Sequence, residues 1–406
     1  MNVLMISDVY FPRVNGVSTS IQTFRRELSA VGHKVDLIAP AYPAQAAEDA
    51  SVLRVPSRFI PLDSEDRMMR PRAVRALLPR LREKKYDLVH IQTPFVAHWL
   101  GMEIADALAL PRVETYHTFF EEYLFHYVPL LPKRILRGLS RRFSRTQCNC
   151  MNALVVPSSA MRDKLAEYGV KVPMHVIPTG IPLAEFSSGN GGSFRAAHGI
   201  ERGRPMLLYV GRVAYEKNID FLVRALERAL ATMPDILLTI AGEGPALDSL
   251  KKLVASRRLS ANVLFVGYLD RSGALLDCYR AADAFVFASR TETQGLVLLE
   301  AMALGVPVIS TAVMGTRDIV GPRRGAMVPD DDEADFARHI VMLMNDPAAR
   351  MRLAAEGPLY ASEWSAGALA NKLATAYREV LATSRSDSGQ SAGRADAAPA
   401  AGMLAR

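Results

Sequence analysis

The stretch from Ser289 to Ala312 reads S-R-T-E-T-Q-G-L-V-L-L-E-A-M-A-L-G-V-P-V-I-S-T-A. A polar opening is followed by apolar residues at the spacing of a helix, namely Leu296, Leu299, Ala303 and Leu304. Gly305 is expected to end this helix, and residues 306–310 predict a short buried strand. The order of loop, helix, turn and strand is typical of a parallel α/β sheet, in which helices connect successive strands.

Two carboxylates bracket the start of this predicted helix. Glu292 lies in the loop, and Glu300 follows eight positions later within the first turns. Gly295 stands where the loop becomes helix, so no side chain there hinders a ligand from approaching the free backbone N–H groups, which bind phosphate at such helix starts. The segment therefore suits a phosphorylated sugar, with Glu292 near sugar hydroxyls and Glu300 within reach of a ribose diol. Taken alone, the two glutamates also fit a solvated loop residue and an ordinary helix carboxylate.

Strand and helix patterns alternate on both sides of this segment, in two series. The first series predicts strands at 3–7, 33–40, 52–55, 88–92, 112–116, 154–157 and 175–178. The second predicts strands at 205–211, 236–242, 262–267, 284–288 and 306–310. Such alternation favours doubly wound parallel sheets, whose ligands collect at the carboxyl ends of the strands. We therefore predict two Rossmann-like α/β domains that face each other across a cleft.

The domain boundaries follow from composition. The first domain is predicted at 1–183, a serine- and glycine-rich linker at 184–204 and the second domain at 205–357. A helix is expected at 358–384, packing back on the first domain. The tail at 385–406 lacks large apolar residues and is expected to be disordered.

Charge and cysteine content limit the classes of function. The chain of 406 residues has a formal net charge of +7, and the excess is concentrated at 67–85 and 129–145. No zinc-finger or RNA-binding motif accompanies it, so a nucleic-acid partner is not expected. The three cysteines show no metal-binding spacing and fit a reducing cytosol, and neither a signal peptide nor a membrane-spanning run is recognisable. The oligomeric state is not indicated.

Further polar groups follow other predicted strands. Asn15-Gly16-Val17 follows the first strand, where a glycine permits close approach to a phosphate or sugar, although it also fits a plain turn. Arg212 and Lys217 lie five residues apart at another strand end and can converge on one anion, although a solvated basic loop fits them too. His117 ends a strand of the first half, where a structural histidine is the alternative. The acidic run 330–332 opens a predicted helix, so the helix dipole explains it without a metal.

The E-x7-E segment and G-R-V-A-Y-E-K-N at 211–218 resemble the family-four retaining glycosyltransferases, which have the two-domain GT-B fold. The resemblance extends to about residue 380. It implies transfer of a sugar from a nucleotide sugar, without a metal or other cofactor, by a catalytic set of His117, Glu292, Arg212 and Lys217. It also implies donor binding by Gly16, Arg212, Lys217, Glu292, Gly295, Leu296, Val297 and Glu300.

The sequence H-T-F-F-E-E-Y-L-F-H-Y-V-P from His117 is similar to a pattern of bacterial diacylglycerol glycosyltransferases, with small spacing differences. Residues 131–145 then alternate apolar residues with arginines in an amphipathic pattern. This pattern fits either a core-packing helix with a solvated basic face or a helix that lies in an anionic membrane interface. In the second interpretation the membrane-binding residues are Arg134, Arg137, Arg141, Arg142 and Arg145.

We therefore expect a glycosyltransferase that is peripheral to the inner face of the cytoplasmic membrane and transfers glucose, from UDP-glucose, to a lipid such as diacylglycerol. The alternatives are a mannose donor or a saccharide acceptor, a nucleotide-sugar epimerase, and a non-catalytic nucleotide-sugar binder on the same fold. A two-carboxylate hydrolase is disfavoured, because both glutamates belong to one loop–helix unit.

Overall fold

The computed structural model describes residues 1–43, 50–60, 63–117, 133–271 and 273–395. In the amino-terminal domain the strands are β1 (Asn2–Ile6), β2 (Lys34–Pro40), β3 (Val52–Val55), β4 (Ser57–Ile60), β5 (Asp63–Met69), β6 (Leu88–Ile91), β7 (Arg112–Thr115), β8 (Ala153–Val156) and β9 (Met174–Val176). Its helices are α1 (Gly16–Ala30), α2 (Pro71–Arg75), α3 (Leu78–Glu83), α4 (Val96–Leu108), α5 (Lys133–Cys148) and α6 (Ser159–Glu167). Seven of the strands form a parallel sheet in the order β3-β2-β1-β6-β7-β8-β9, while β4 and β5 form an antiparallel hairpin beside it.

The carboxy-terminal domain repeats this architecture. Its strands are β10 (Met206–Val210), β11 (Leu237–Ala241), β12 (Val263–Gly267), β13 (Ala284–Phe287), β14 (Val308–Ser310) and β15 (Ala326–Met327). The helices of the rest of the chain are α7 (Gly191–Ala197), α8 (Ile219–Ala229), α9 (Leu247–Ser256), α10 (Ala274–Ala281), α11 (Leu296–Ala303), α12 (Thr316–Val320), α13 (Glu333–Asn345), α14 (Pro347–Ser362) and α15 (Ala366–Ala395). The sheet is parallel throughout, in the order β12-β11-β10-β13-β14-β15.

The two sheets confirm the predicted pair of doubly wound domains. The strand order reverses beside β1 in one sheet and beside β10 in the other. Ligands of open α/β sheets bind at such reversals, beyond the carboxyl ends of the strands. The loop after β1 leads to Gly16, and the loop after β10 carries Arg212. Both loops therefore start at the positions where the topology favours ligand binding.

The predicted linker at 184–204 is wrong in part, because most of it is packed structure. Helix α7 lies within it, capped by Asn190, whose side chain accepts a hydrogen bond from Ser193 N. Phe194 and Ile200 are buried in the core of the carboxy-terminal domain. Apolar side chains at these positions thus draw a serine- and glycine-rich segment into that domain.

The chain crosses between the domains twice, and the two crossings touch. Ile181 donates from its backbone N to Trp364 O at 2.9 Å and accepts from Ala366 N at 3.0 Å. A Cβ at Gly180 would lie 2.3 Å from Ala366 Cα, so a side chain does not fit between the two crossings. The predicted helix at 358–384 is therefore interrupted between α14 and α15, where the second crossing runs.

Helix α15 packs on the amino-terminal domain. Leu369, Leu373 and Tyr377 share a buried cluster with Val3 and Leu88 of its sheet. The helix continues to Ala395, past its predicted end at residue 384 and into the segment predicted to be disordered. Extending a docked helix adds a hydrogen bond per residue without a new nucleation cost, which composition alone does not reveal. The prediction for 396–406 lies outside the described residues.

Candidate functional site

A cavity of about 560 Å³ lies between the domains, lined by residues of both. The residues predicted for catalysis and donor binding all line it: Gly16, His117, Arg212, Lys217, Glu292, Gly295, Leu296, Val297 and Glu300. They come from the segments that follow β1, β7, β10 and β13. The parallel sheets thus bring together residues that are up to 284 positions apart in the sequence.

The start of α11 is held by backbone contacts. Gly295 precedes the helix with a φ of 99°, in the left-handed region that favours glycine. Gly315 N donates to Glu292 O at 2.8 Å, and a Cβ at Gly315 would lie 2.0 Å from Thr293 O. The loop before α11 thus rests directly on the backbone of the next loop, which fixes the direction in which the helix start faces the cavity.

Lys217 and Glu292 form an ion pair in the cleft. Lys217 Nζ lies 2.6 Å from Glu292 Oε2, and each side chain is about one-fifth exposed. Asn218, at a φ of 57°, donates from its side chain to Ala288 O at 3.0 Å and ties the loop after β10 to the end of β13. The guanidinium of Arg212 is exposed and forms no hydrogen bond or ion pair with a described residue. Arg212 is therefore more available to an incoming anion than Lys217.

Glu300 occupies a different environment, with only 3% of its surface exposed. One carboxylate oxygen accepts from Arg271 and the other from Tyr279 OH, at 3.0 Å for the tyrosine. Burial raises the pKa of Tyr279 well above its usual value, so the hydroxyl remains a donor, and the Glu300 carboxylate raises the pKa of Arg271. Arg271 also lines the cavity and was not among the residues predicted from the sequence. Its position after the end of β12 is only a weak sign of a functional role, because its partner Glu300 lies 29 residues away in the sequence.

The amino-terminal face of the cavity is less polar. His117 Nε2 lies 3.2 Å from Gln92 Oε1, and burial lowers the His117 pKa to about 4. The imidazole is therefore neutral at neutral pH and can take part in hydrogen bonds but carries no positive charge. At Gly16 a Cβ would meet no atom within 4 Å, so the structure leaves open space beside the start of α1. Asn15 caps that helix by accepting from Ser18 N at 2.8 Å.

The chain matches two family models, Glycosyltransferase Family 4 over residues 14–185 and Glycosyl transferases group 1 over residues 192–359. It is 36% identical over 324 residues to the alpha-monoglucosyldiacylglycerol synthase of Streptococcus pneumoniae, covering 76% of this chain and 71% of that relative. The chain is a family-four glycosyltransferase.

Other similar proteins show the breadth of this glycosyltransferase family. The GDP-mannose-dependent alpha-mannosyltransferase of Mycolicibacterium smegmatis is 29% identical over 89% of this chain and 90% of that relative. Among solved structures, the Anabaena protein HepE in complex with UDP and glucose superposes with a TM-score of 0.74 at 16% identity, covering 93% of this chain and all of that one. At this identity the likeness shows the fold, which is the GT-B arrangement that the sequence predicted.

The five arginines predicted to bind a membrane lie outside the cavity, on α5 of the glycosyltransferase. The buried face of this helix consists of Leu136, Ser140, Ser144, Gln147 and Cys148. Leu139 and Phe143, two apolar residues of the predicted amphipathic pattern, are 55% and 38% exposed. Arg134, Arg137, Arg141, Arg142 and Arg145 are exposed around them. The apolar stripe therefore does not pack into the core, and the core-packing interpretation of this face is wrong for its described part.

Helix α5 is fixed next to the carboxyl ends of β6 and β7. Gln147 Nε2 donates to Pro94 O at 2.8 Å, and Ser144 Oγ lies 2.8 Å from Tyr116 OH. Tyr116 directly precedes His117 in the chain. The glycosyltransferase thus carries its exposed apolar and basic helix beside the strand end that supplies a cavity residue. The rest of the similarity to diacylglycerol glycosyltransferases, at 118–129, lies outside the described residues.

Two further observations bear on metal ions and membranes. Asp332 caps α13 by accepting from Ala334 N and Asp335 N, and Asp331 pairs with Arg290, so this acidic run has structural partners. Across the described ranges, no group of three or more His, Cys, Asp or Glu side chains is arranged to hold a metal ion. Within the same ranges, no helix has the length and apolar character needed to span a bilayer.

Proposed function

We propose that this glycosyltransferase moves a glucosyl group, with retention of anomeric configuration, from UDP-glucose to diacylglycerol at a membrane surface. The observation that carries the proposal is the set of charged groups in the cleft. Arg212, Lys217 and the open start of α11 line one cavity together with Glu292 and Glu300. The 36% identical relative is named alpha-monoglucosyldiacylglycerol synthase, and this name supports the choice of sugar and acceptor.

In this mechanism the cations stabilise the departing nucleoside diphosphate. Charge builds up on the diphosphate as the glycosidic bond breaks, and fixed cations in a partly buried site stabilise that charge more than they stabilise the ground state. We propose that Arg212, Lys217 and the N–H groups at the start of α11 take this role in place of a metal ion. Glu292 then orients the sugar while paired with Lys217, and Glu300 accepts hydrogen bonds from the ribose.

The exposed side of α5 supports the proposal that the acceptor is a lipid. Leu139 and Phe143 offer apolar area to a bilayer, and the surrounding arginines attract anionic headgroups by roughly 1 kcal/mol each. Diacylglycerol does not dissolve in water, so the enzyme must come to the membrane. We infer that it binds peripherally to the inner face of the cytoplasmic membrane.

A mannose donor is the second candidate. The mannosyltransferase relative covers 89% of this chain, more than the diacylglycerol glucosyltransferase covers, although at lower identity. The charges in the cleft fit the diphosphate of either nucleotide sugar. An assay with different nucleotide sugars therefore decides which sugar and which nucleotide base the enzyme uses.

The test is a donor panel with and without lipid acceptor. The purified enzyme is incubated with UDP-glucose, UDP-galactose, UDP-glucuronic acid or GDP-mannose, in the presence of vesicles of phosphatidylglycerol with or without diacylglycerol. We expect glycolipid to form from UDP-glucose only when diacylglycerol is present, and UDP release then to exceed the slow hydrolysis of donor that occurs without an acceptor. Glycolipid formed with GDP-mannose alone would favour the second candidate. Conversion of the donor without release of nucleoside diphosphate indicates an epimerase, and donor binding without conversion indicates a binding protein.

A further inference from the structure

Gln294 joins the loop before α11 to the first crossing between the domains. Its side-chain Oε1 accepts from Thr179 N at 2.8 Å, and its Nε2 donates to Thr179 O at 2.7 Å. Thr179 Oγ1 in turn lies 2.8 Å from Ser20 Oγ on α1. All three residues are buried, with 6% of Gln294, 6% of Thr179 and 1% of Ser20 exposed. They line the floor of the cavity.

The chemistry of this contact restricts the residue that can make it. The backbone of Thr179 presents one donor and one acceptor to the same side chain, so its partner must accept and donate at once, which an amide does and a carboxylate or an apolar chain does not. Because the site is buried, loss of the amide leaves two backbone groups without partners. Two hydrogen bonds to one residue also fix the orientation of the loop and not only its distance.

The contact lies between the two helix starts that face the cavity. Gly295, the residue after Gln294, precedes α11, while Ser20 lies one turn beyond Gly16 at the start of α1. Ser20, Thr179 and Gln294 therefore form a continuous chain of hydrogen bonds from one helix start to the other. The rest of the loop is held from its own domain by Gly315, so the bonds to Thr179 tie this loop to the opposite half of the cleft.

We propose that Gln294 is a positioning residue, which sets the start of α11 and Glu292 relative to α1 so that a donor bound to one domain is aligned with the face that receives the acceptor. The inference rests on the proposed donor site. A shift of about 1 Å between reacting groups lowers turnover by up to about 100-fold. Binding of the nucleotide, whose proposed contacts except Gly16 lie on the carboxy-terminal domain, should be much less affected. Gln294 thus affects turnover rather than nucleotide affinity.

The variants are Gln294→Glu, which keeps the acceptor and removes the donor, and Gln294→Met, which has similar length and removes both. We expect turnover in the transfer assay to fall about 10- to 100-fold in Gln294→Glu, and UDP affinity by titration to change less than about threefold. Ser20→Ala should lower turnover by a smaller factor. The effects of Ser20→Ala and Gln294→Glu should not multiply in the double variant, because they interrupt one chain of bonds.

The matched control is Arg26→Gln. Arg26 also joins α1 to the chain just after the first crossing between the domains, through an exposed ion pair with Glu185 at 2.7 Å. It does not touch the loop before α11. We expect wild-type turnover in this variant. An equal fall in Arg26→Gln would overturn the proposal, because any loosening of the crossing segment would then suffice.

Other outcomes also decide the question. Wild-type turnover in Gln294→Glu would refute the role, and equal losses of turnover and UDP affinity would show that the amide merely shapes the nucleotide pocket. If Gln294→Met fails to fold by thermal melting, Gln294→Glu and Ser20→Ala decide the test. If wild-type enzyme binds neither UDP nor GDP, the proposed function fails, and that result is distinct from normal binding without an effect of Gln294.

Discussion

The two sides of the cleft differ in how they carry charge. The carboxy-terminal side presents three cations and three carboxylates, which are Arg212, Lys217, Arg271, Glu216, Glu292 and Glu300. On the amino-terminal side, the described residues that line the cavity have no ionised side chain at neutral pH, since His117 is neutral there. The basic excess of that domain lies outside the cavity instead, on α5 and at 67–85. This difference fits the proposal that the carboxy-terminal side binds the phosphorylated donor, while the amino-terminal side receives an uncharged hydroxyl group and meets an anionic membrane through a surface outside the cavity.

The largest effect is expected from removing the cations of the charged side. Replacing Arg212 or Lys217 with Ala should raise the barrier to transfer by about 2 to 4 kcal/mol, because each stabilises charge that develops on the leaving group. The barrier should rise further in Lys217→Ala than in Arg212→Ala, because the loss of Lys217 also leaves Glu292 unpaired beside an anionic donor. Steady-state kinetics with the preferred donor measures both.

A double variant separates the two contributions of Lys217. In the double variant Lys217→Ala with Glu292→Gln, the barrier to transfer should rise by less than the sum of the two single effects, since the unpaired carboxylate is gone. Turnover near that of the wild type in both Arg212→Ala and Lys217→Ala would contradict the proposal that these cations stabilise the leaving group.

The two glutamates provide a finer test within the charged side. Glu292 is partly exposed and paired with Lys217, whereas Glu300 is buried beside Arg271 and Tyr279. Glu292→Gln should therefore lower turnover more than UDP affinity. Glu300→Gln should weaken UDP binding by about 10-fold, or about 1.4 kcal/mol, if Glu300 holds the ribose. Isothermal titration with free UDP measures the affinities.

Tyr279→Phe is the control for Glu300. It removes a single hydrogen bond to the carboxylate and should weaken UDP binding in the same direction but by a smaller factor. The same loss of affinity in Glu292→Gln and Glu300→Gln would contradict the division of roles.

The sequence predicted the carboxy-terminal side of the cleft better than the amino-terminal side. Buried parallel strands are continuous apolar runs, so every strand of the two parallel sheets except the two-residue β15 was located to within about two residues, and the polar groups after these strands were located too. Glu292, Gly295 and Glu300 lie within nine residues of one another on one loop and helix. Local order in the chain was therefore enough to place them in one site.

Features that depend on distant partners were missed. Arg271 has ordinary sequence neighbours, and Gln294 lies inside the E-x7-E segment without a signal that sets it apart. Their contacts are to Glu300 and to Thr179, which is 115 residues from Gln294. The hairpin of β4 and β5 was missed because a polar stretch with an incomplete alternation gives a weak strand signal. On α5, periodicity identified an apolar stripe, but the buried face consists mainly of small and polar residues beside Leu136. Which face is buried depends on the neighbouring elements, not on the helix itself.

The charge outside the cavity is tested by membrane binding. Replacing Arg137, Arg141 and Arg142 with Ser should release the enzyme from vesicles that contain phosphatidylglycerol, since each arginine contributes roughly 1 kcal/mol near an anionic surface. Binding of the wild type should also weaken as salt rises, because screening shortens the reach of the charges. Co-sedimentation at low and high salt measures both, and slow hydrolysis of donor in solution should be unchanged.

A variant with the same loss of charge elsewhere is the control. Arg202, Arg257 and Arg258 are exposed on the carboxy-terminal domain, outside the cavity. Replacing these three with Ser should leave vesicle binding near that of the wild type. Equal sedimentation with neutral and anionic vesicles, unchanged in the α5 variant, would argue against electrostatic docking and favour a water-soluble acceptor.

The smallest effect concerns the uncharged side and its dependence on pH. Burial lowers the pKa of His117 to about 4, from 6.5 in an exposed histidine. The unfolded chain therefore takes up a proton at this residue before the folded protein does. The stability that the neutral imidazole contributes is present above pH 6.5 and is lost as pH falls towards 4, at about 1.4 kcal/mol per pH unit. His90, whose pKa burial lowers to about 3, acts in the same direction, while Asp8, raised to about 6 by burial, opposes both.

Replacing His117 with Gln should therefore flatten the dependence of stability on pH. Between pH 6.5 and 5, the free energy of unfolding from urea titrations should fall by about 2 kcal/mol less in His117→Gln than in the wild type. Between pH 7.5 and 8.5 the two proteins should show the same slope, because His117 is neutral there in both the folded and the unfolded state. A parallel fall of both proteins on acidification would mean that His117 titrates normally and that the amino-terminal side of the cleft becomes charged near pH 6. In that case the contrast between the two sides would hold only above that pH.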